Sequence, residues 1–391
     1  MTLSLIEVYA SYKKLPYKVY NWGMLGLKHT IRFLPVHLIN PMSDKERSVH
    51  IGEELESLIY TFGGEIVERA VQKLDAPDNR TYIGSGKVAE VLEIIKEKKV
   101  DVVVLNAMAK AGQIHALRKA LRKTNPDIEV WDRVDLILQI FDKHASTTEA
   151  KLQIELARMR YMGPRIYGMG YVMSRQGGGI GTSGVGETNT ELMKRHWRAA
   201  VKKITDQLDK LAKTRSEQLE RRKRAGLITV SIVGYTNAGK SSLFNVLTKK
   251  KTLVEDALFA TLDSNTGRLY LPQLQKEVLL TDTIGFIRNL PPRLINAFKS
   301  TLMESIHADI LLHVIDASDI ERETKIKVVS DILVELGIDL DHVIFVFNKI
   351  DAVEVDKKEL AYEYQENSPI FVSAKTGEGI EDIKKILSEK L

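Results

Sequence analysis

The segment LITVSIVGYTNAGKSSLFNVLT, residues 227–248, constrains the fold of this chain more than any other. It has the pattern of an apolar strand, a glycine-bearing loop and an amphipathic helix, and the loop matches the phosphate-loop pattern GxxxxGK[ST]. The two glycines allow a tight turn whose backbone N–H groups can surround phosphates. The lysine brings positive charge to the β- and γ-phosphates, and the following hydroxyl can bind Mg²⁺. The candidate nucleotide-binding residues here are Gly234, Tyr235, Thr236, Asn237, Ala238, Gly239, Lys240, Ser241 and Ser242.

Two segments further along the chain predict the rest of a magnesium and γ-phosphate site. The apolar strand VLLTDTIG ends in Asp282-x-x-Gly285. A carboxylate there can hold the Mg²⁺ shell, through water, and a glycine N–H can meet the γ-phosphate. Between the two motifs, LFATLD supplies Phe259 and Thr261, and the Thr261 hydroxyl and carbonyl could close over Mg²⁺ and the γ-phosphate. We therefore expect metal roles for Ser241, Thr261 and Asp282, and catalytic roles for Lys240, Thr261 and Gly285.

Two more motifs predict which base is bound. The strand HVIFVFNKID ends in an Asp351 carboxylate that can accept both N–H donors of a guanine edge. Adenine presents an acceptor at N1 instead, so a site built on this pairing discriminates strongly. The segment IFVSAKTGEG supplies a loop to cover the base. The expected ligands are GTP and GDP, and NKID argues against a metabolic P-loop kinase, as do missing acceptor-site and lid segments. The candidate base-site residues are Asn348, Lys349, Asp351, Ser373, Ala374 and Lys375.

Residues 47–146 alternate apolar runs with helical patterns. Such strand–helix alternation predicts a small α/β domain with a largely parallel sheet. We expect strands in SVHI, GEIVERAVQ, VDVVVLN and DIEVW, and helices in EELESLIYTF, SGKVAEVLEIIKEKK, AGQIHALRKALRK and VDLILQIF. The GSGK at 84–87 lacks the first glycine and the final Ser/Thr of a phosphate loop, so it is predicted to begin a helix.

Residues 147–225 predict a helical hairpin with a glycine-rich joint. Its second arm carries Trp197, Val201, Ile204, Leu208 and Leu211 at spacings of four and three, the apolar seam of a coiled coil. Between the arms lies SRQGGGIGTSGVGET. This loop is either a flexible linker or a functional tip, since glycine lets a backbone lie close to another surface.

Charge is distributed unevenly along the chain. Residues 191–226 hold 12 Lys/Arg and 5 Asp/Glu, whereas residues 227–391 hold 19 and 25. The basic segment suggests a polyanionic partner, although a solvated helix face explains such runs equally well. Residues 1–46 mix aromatic and cationic side chains without a clear period, and we expect a poorly ordered extension rather than an RNA-contacting tail. The domain prediction is therefore an extension at 1–46, an α/β domain at 47–146, a hairpin at 147–225 and a GTPase domain at 226–391.

Several classes of protein are disfavoured. Zero cysteines exclude disulfides and thiolate metal sites. No window of about 18 uncharged apolar residues predicts a membrane span, and the start of the chain lacks a secretory signal pattern. We expect a cytoplasmic protein, a monomer, with no DNA partner.

With these motifs in view, the chain resembles the HflX family of translation-associated GTPases, within the wider Obg–HflX group. The resemblance covers about residues 47–391 and is carried by TYIGSGKVAEV, DRVDLILQIFDKHASTTEAKLQIELARMRY, SRQGGGIGTSGVGET, GYTNAGKSSLFNVLT, LFATLD, DTIGFIRNLPPRLINAF and HVIDASD. Ser183 and Val185 stand where the family usually shows arginine and proline, so a cation expected at the tip of the loop is missing.

The resemblance implies a GTPase that binds the large (50S) ribosomal subunit and its rRNA and splits or recycles stalled ribosomes. The alternative is a nucleotide-sensing RNA-binding adaptor, or a ribosome-assembly factor, in which hydrolysis is incidental. Phosphate neutralisation supplies most non-specific RNA affinity, so the basic arm suits either role. The candidate RNA-contacting residues are Arg175, Gln176, Gly177, Gly178, Gly179, Arg195, Arg198 and Lys202.

Phe286 follows Gly285, where Ras-type switches carry a glutamine that orients the attacking water. A phenylalanine side chain can neither donate nor accept a hydrogen bond, so we expect slow hydrolysis alone and stimulation by a partner. The resemblance agrees, because a hydrophobic residue is normal at this position in the family. The replacement group could be ribosomal RNA, a repositioned residue or a monovalent cation. Asn237 stands where some related GTPases hold K⁺ against the phosphates, which makes K⁺ a second candidate cofactor beside Mg²⁺.

Overall fold

The computed structural model describes residues 30–41, 45–176, 189–250, 258–259, 265–283, 285–288, 294, 306–354 and 356–391. In that part of the chain, no helix has the length and apolar character needed to cross a membrane.

The amino-terminal domain is built on a parallel sheet with strand order β2-β1-β4-β5. The first residues of β1 pair with β2, and its last four residues pair with β3. Helices connect the successive strands except β2 and β3, largely as the alternating pattern predicts. The elements are β1 (Arg32–Ile39), α1 (Lys45–Phe62), β2 (Glu65–Ile66), β3 (Ala70–Lys73), α2 (Ser85–Lys98), β4 (Val102–Leu105), α3 (Ala111–Leu121), β5 (Glu129–Asp132) and α4 (Arg133–His144).

Strand β1 corrects the expectation that residues 1–46 form a poorly ordered extension. Its sequence RFLPVHLI is mostly apolar and its five central residues are buried, which is typical of a parallel strand covered on both faces. Phe33, Leu34 and Val36 are fully buried, and β1 pairs with β2 and β3 on one side and with β4 on the other. The first strand therefore lies before residue 47, in the centre of the sheet. The other domain boundaries stay predictions.

Two strand predictions in this domain are wrong. SVHI belongs to helix α1, because Leu55, Leu58 and Ile59 extend a helical spacing that buries one face of the segment. The single strand expected in GEIVERAVQ is divided into β2 and β3, which pair with successive parts of β1. The helix predicted at GSGK is confirmed, since α2 begins after Gly84.

The helical hairpin is confirmed as α5 (Thr148–Gln176) and α6 (Asn189–Arg224). Its seam buries Ile204 and Leu208 of α6 against Leu152, Leu156 and Met159 of α5. Trp197 and Val201 pack at the edge of the same cluster. Leu211 is 36% exposed and marks the end of this packing. At 1.5 Å per residue, the 36 residues of α6 extend roughly 54 Å.

The carboxy-terminal domain has the sheet order β11-β10-β9-β6-β8-β7. All pairs are parallel except β7 with β8. The elements are β6 (Thr229–Gly234), α7 (Lys240–Thr248), β7 (Asn265–Leu271), β8 (Lys276–Asp282), β9 (Ile310–Asp316), α8 (Arg322–Glu335), β10 (Val343–Asn348), α9 (Lys357–Glu363), β11 (Ile370–Phe371) and α10 (Ile380–Lys390). The predicted motifs follow the carboxyl ends of β6, β8, β10 and β11, the edge where open α/β sheets bind ligands.

The two α/β domains share one hydrophobic core cluster. The rings of Phe141 in α4 and Phe259 meet edge to face, with centroids 4.6 Å apart. The Thr61 hydroxyl of α1 accepts a hydrogen bond from the Leu258 N–H at 3.0 Å. The amino-terminal domain therefore contacts the segment that links the phosphate loop to β7.

Candidate nucleotide site

The phosphate loop between β6 and α7 needs its glycines for steric reasons. Gly234 has φ +149°, and a Cβ on it would lie 2.3 Å from the Val314 carbonyl oxygen. Gly239 has φ +90°, and a Cβ there would lie 2.2 Å from the Asn348 side-chain nitrogen. No side chain fits at either position. Asn348 in turn donates to the Ala238 carbonyl at 2.9 Å, which ties the phosphate loop to the NKID segment.

Lys240 lies under this loop in a buried position. Its ammonium donates to the Tyr235 carbonyl oxygen at 2.7 Å, and burial lowers the pKa of Lys240 to about 8. A phosphate would add negative charge beside this buried cation, on which the Asp282 carboxylate already acts.

The predicted metal-site residues Ser241 and Asp282 are brought together. The Ser241 hydroxyl donates to Asp282 Oδ2 at 2.7 Å. Asp282 is fully buried, burial raises the pKa of its carboxyl, and its Oδ1 has no hydrogen-bond partner among the described residues. The described residues contain no cluster of three or more metal-ligating His, Cys, Asp or Glu. A hydroxyl beside one unsatisfied carboxylate fits Mg²⁺, which keeps several waters and takes few protein ligands.

Gly285 lies against the phosphate loop. A Cβ on it would meet the Lys240 ammonium and the Thr236 Cγ2 at 2.8 Å each, so a larger residue would displace the lysine. This position suits the predicted contact of its N–H with a γ-phosphate. Thr261 lies outside the described residues, and its metal and catalytic roles stay predictions.

The predicted base-site residues of two segments are linked to one another by hydrogen bonds. Asp351 Oδ1 accepts from the Ser373 hydroxyl at 2.6 Å, and the Ala374 N–H donates to Asn348 Oδ1 at 3.0 Å. The Ser373 hydrogen bond is the largest of the causes that lower the pKa of Asp351, which keeps the carboxylate an acceptor. Lys349 pairs with Asp316 at 2.7 Å.

The Lys375 ammonium is exposed and lies 4.0 Å from Asp351 Oδ2. The predicted base-site residues therefore lie together at this end of the sheet, and their contact with a guanine edge stays a prediction.

The backbone of Phe286 is hydrogen-bonded to the phosphate loop. Its N–H donates to the Gly234 carbonyl at 3.0 Å, and its carbonyl accepts from the Thr236 N–H at 2.8 Å. Its ring is 2% exposed and belongs to the core cluster shared by the two α/β domains. An apolar side chain in such a place cannot orient a water molecule.

Phe259 lies at the contact between the two α/β domains. Its ring is 2% exposed and packs on Phe141 of the amino-terminal domain, and its nucleotide-binding role stays a prediction. A phenylalanine side chain has no polar group, so the ring packs against the neighbouring apolar surface.

The predicted RNA-contacting residues are only partly described. Arg195, Arg198 and Lys202 have exposed side chains on α6. Gly177, Gly178 and Gly179 lie outside the described residues, and the side chains of Arg175 and Gln176 at the end of α5 do too.

Sequence reasoning missed a cavity of about 260 Å³ on the outer side of the phosphate loop. Glu53, Glu54 and Ser57 of α1 line one wall, residues 235–238 line another, and the start of α8 closes the third. The lining residues of α1 lie at least 178 positions before those of the phosphate loop, so no local pattern could reveal the cavity.

Comparison with known proteins covers nearly the whole chain. Residues 50–142 match a family model described as GTP-binding GTPase N-terminal, and residues 144–222 match GTP-binding GTPase Middle Region. Residues 229–372 match a model described as 50S ribosome-binding GTPase. A solved structure described as SsGBP and GDP complex is similar with a TM-score of 0.54 at 24% identity, covering 92% of this chain and 98% of that one. That likeness supports the fold.

Proteins named GTPase HflX are similar at higher identity. The one from Caldanaerobacter subterraneus is 42% identical, over 89% of this chain and 81% of its own length. The one from Alkalihalophilus pseudofirmus is 44% identical, over 76% and 69%, and the one from Escherichia coli is 38% identical, over 87% and 78%. Given these identities over most of the chain and the three matching family models, this chain belongs to the HflX family of GTPases.

Proposed function

We propose that this GTPase binds the large ribosomal subunit, and that the subunit completes an active site that is slow on its own. The observation that carries the proposal is the position of Phe286. Its side chain is buried and its backbone is hydrogen-bonded to Gly234 and Thr236, so it cannot place the attacking water. GTPases of this design obtain the missing stabilisation from a partner, which can raise the rate by about 10³–10⁵.

The ribosome is the partner favoured here. A model described as 50S ribosome-binding GTPase matches residues 229–372, and the exposed cations of α6 suit RNA phosphates. Through this contact the protein splits or recycles stalled ribosomes, acting as a monomer in the cytoplasm. In the alternative role it is an adaptor or assembly factor whose hydrolysis is incidental.

The site would hold Mg²⁺ through Ser241, Thr261 and Asp282, the last through water. The metal would neutralise charge on the β- and γ-phosphates. Lys240 would add its own charge there, and the Gly285 N–H would bind the γ-phosphate. Asp351 would select guanine.

A monovalent cation is a second candidate for the stabilising group that the active site lacks. Asn237 has φ +62° in the phosphate loop and lines the cavity beside that loop, and its side chain is the group we expect to hold K⁺ near the phosphates. Equal GTP turnover in matched K⁺ and Na⁺ buffers would reject this role.

Charge reversal on α6 tests ribosome binding. The variant with Arg195, Arg198 and Lys202 all changed to Glu is expected to lose about 10-fold or more in affinity for 50S subunits at low salt, with a flatter salt dependence. Co-sedimentation across a salt series measures both quantities. A matched triple variant of exposed lysines in the amino-terminal domain, Lys96, Lys98 and Lys123 to Glu, should bind normally. Unchanged sedimentation of the α6 variant would remove the basic arm from the proposal.

A non-hydrolysable GTP analogue separates the two roles. If hydrolysis drives release, the analogue or Thr261→Ala should hold the protein on 50S subunits, and chase experiments should show slower dissociation. An adaptor with incidental hydrolysis should dissociate at the same rate with GTP and with the analogue.

A further inference from the structure

Thr236 in the phosphate loop carries a buried hydroxyl without a hydrogen-bond partner. The residue is 6% exposed, and its Oγ1 has no partner among the described residues. Other threonine hydroxyls of the same domain are satisfied. That of Thr283 donates to the Ile232 carbonyl at 2.7 Å, and that of Thr248 donates to the Phe244 carbonyl at 2.7 Å. A buried polar group that is left unpaired destabilises the folded state, so the Thr236 hydroxyl does not serve the nucleotide-free fold.

The other unpaired oxygen of this kind lies in the predicted metal site. In the part of the carboxy-terminal domain that the structure describes, the buried side-chain oxygens without a partner are Thr236 Oγ1 and Asp282 Oδ1. Asp282 accepts the Ser241 hydroxyl on its Oδ2, and its charge acts on the buried Lys240 ammonium. Unsatisfied buried groups in native proteins often mark functional sites. Both unpaired oxygens belong to the segments that are expected to surround the γ-phosphate and Mg²⁺.

The Thr236 side chain lies on the γ-phosphate side of the phosphate loop. Its backbone N–H donates to the Phe286 carbonyl at 2.8 Å. A Cβ on Gly285 would lie 2.8 Å from the Thr236 Cγ2 and 2.8 Å from the Lys240 ammonium, so these three residues meet at one place. Lys240 and the Gly285 N–H are the groups that we expect to bind the γ-phosphate. Because Oγ1 and Cγ2 branch from the same carbon atom, the hydroxyl lies beside that place too.

A hydroxyl at this position has a chemical use that the sequence motif does not require. The pattern GxxxxGK[ST] leaves residue 236 unspecified, and its backbone N–H groups alone can surround phosphates. A threonine hydroxyl is a hydrogen-bond donor, whereas the γ-phosphate presents oxygens that carry negative charge. GDP has no γ-phosphate. A donor at this place therefore favours the triphosphate.

We propose that the Thr236 hydroxyl donates a hydrogen bond to a γ-phosphate oxygen of GTP, and that it thereby helps the site to prefer GTP over GDP. This inference rests on the proposed roles of Lys240 and Gly285. The hydroxyl acts as a binding group, and no proton is transferred to or from it. Its partner arrives with the triphosphate, which explains why the group is unpaired in the nucleotide-free protein.

The test uses the full-length Thr236→Val variant, which places a methyl group where the hydroxyl oxygen lies. Equilibrium binding of a fluorescent non-hydrolysable GTP analogue and of fluorescent GDP is measured with Mg²⁺ and without ribosomal subunits. The ratio of the affinity for the GTP analogue to the affinity for GDP should fall about tenfold, because a hydrogen bond to a charged group is lost. Thr236→Ala, which adds no methyl group, should lower the ratio to a similar extent. Thr236→Ser keeps the hydroxyl and should hold the ratio within about threefold of that of the unaltered protein.

A second measurement separates a binding role from a structural one. Thermal unfolding of nucleotide-free Thr236→Val should occur at the same temperature as that of the unaltered protein or higher, since the variant removes an unpaired buried hydroxyl. Thr248→Val is the matched control, because it removes a hydroxyl that is satisfied within helix α7. That control should leave the ratio of the two affinities unchanged.

An unchanged ratio in Thr236→Val overturns the proposal, and so does a lower unfolding temperature together with an unchanged ratio, which would make the hydroxyl structural. A ratio that falls in Thr236→Val but not in Thr236→Ala also overturns it, since the added methyl group would then be the cause. Failure of the nucleotide site itself is distinguishable, because the unaltered protein would then bind neither nucleotide. Failure of the ribosome proposal does not affect this assay, which contains no subunits.

Discussion

Replacement of Lys240 by alanine is expected to abolish GTP and GDP binding while leaving the fold intact. The buried ammonium is the cation that the phosphate loop offers to the β- and γ-phosphates, and its loss removes a charge-assisted bond in a water-poor site. We expect affinity to fall by at least about 100-fold, which is about 3 kcal/mol or more. Titration with fluorescent GDP and GTP analogues measures the loss.

The same substitution should not destabilise the nucleotide-free protein. Burial lowers the pKa of Lys240 from 10.5 to about 8, so at pH 7 the charged form costs the folded state on the order of 3 kcal/mol. Removing that cost offsets the lost bond to the Tyr235 carbonyl, and thermal unfolding should occur at the same temperature or higher. The exposed Lys358→Ala is the matched control, expected to bind normally. Retained binding in Lys240→Ala would show that the loop does not hold phosphates.

A chain shortened to begin at Met42 is expected to lose the fold of its amino-terminal domain. The truncation removes β1, the strand that pairs with β2 and β3 on one side and with β4 on the other. It also removes the fully buried Phe33, Leu34 and Val36. Each large buried side chain contributes about 2–5 kcal/mol, and a whole domain is stable by only about 5–15 kcal/mol. Hydrogen–deuterium exchange should show β4 and β5 unprotected.

Deletion of residues 1–28 alone is the control for this truncation, because it leaves all of β1 in the chain. That variant should keep slow exchange in β4 and β5. Both variants should still bind guanine nucleotide, since every nucleotide motif lies beyond Thr229. Slow exchange in β4 and β5 of the chain that begins at Met42 would contradict the central position of β1.

The carboxy-terminal domain was largely predictable because its chemistry is local. Gly234, Gly239 and Lys240 fall at fixed spacings, and the sheet brings the ends of its parallel strands to one edge. Asp351 and Ser373 were predicted from motifs at the ends of two strands, and the Ser373 hydroxyl donates to Asp351 Oδ1 at 2.6 Å. A short motif in the right strand–loop–helix context therefore predicts where its residues lie in the folded protein.

The misses have a different cause. RFLPVHLI lies in a region without a clear hydrophobic period. A strand that is buried on both faces shows no alternation of apolar and polar residues. The contact of Phe259 with Phe141 of the amino-terminal domain was not predicted from its place between two motifs, because it depends on apolar packing between distant segments. The bond between Glu54 and Tyr235 joins residues 181 positions apart, so it depends on how two domains pack. Contacts of that kind become visible only in the folded molecule.

The most direct test of the central claim is GTP turnover by the full-length protein, measured with and without purified 50S subunits and with ATP as the competing purine. We predict slow turnover alone, an increase of at least about 10³-fold with subunits, and no turnover of ATP. Phe286 is buried and its backbone is hydrogen-bonded to the phosphate loop. The isolated chain therefore has no side chain at this position that can orient the attacking water. Fast turnover by the isolated protein, unchanged by subunits, would contradict the account.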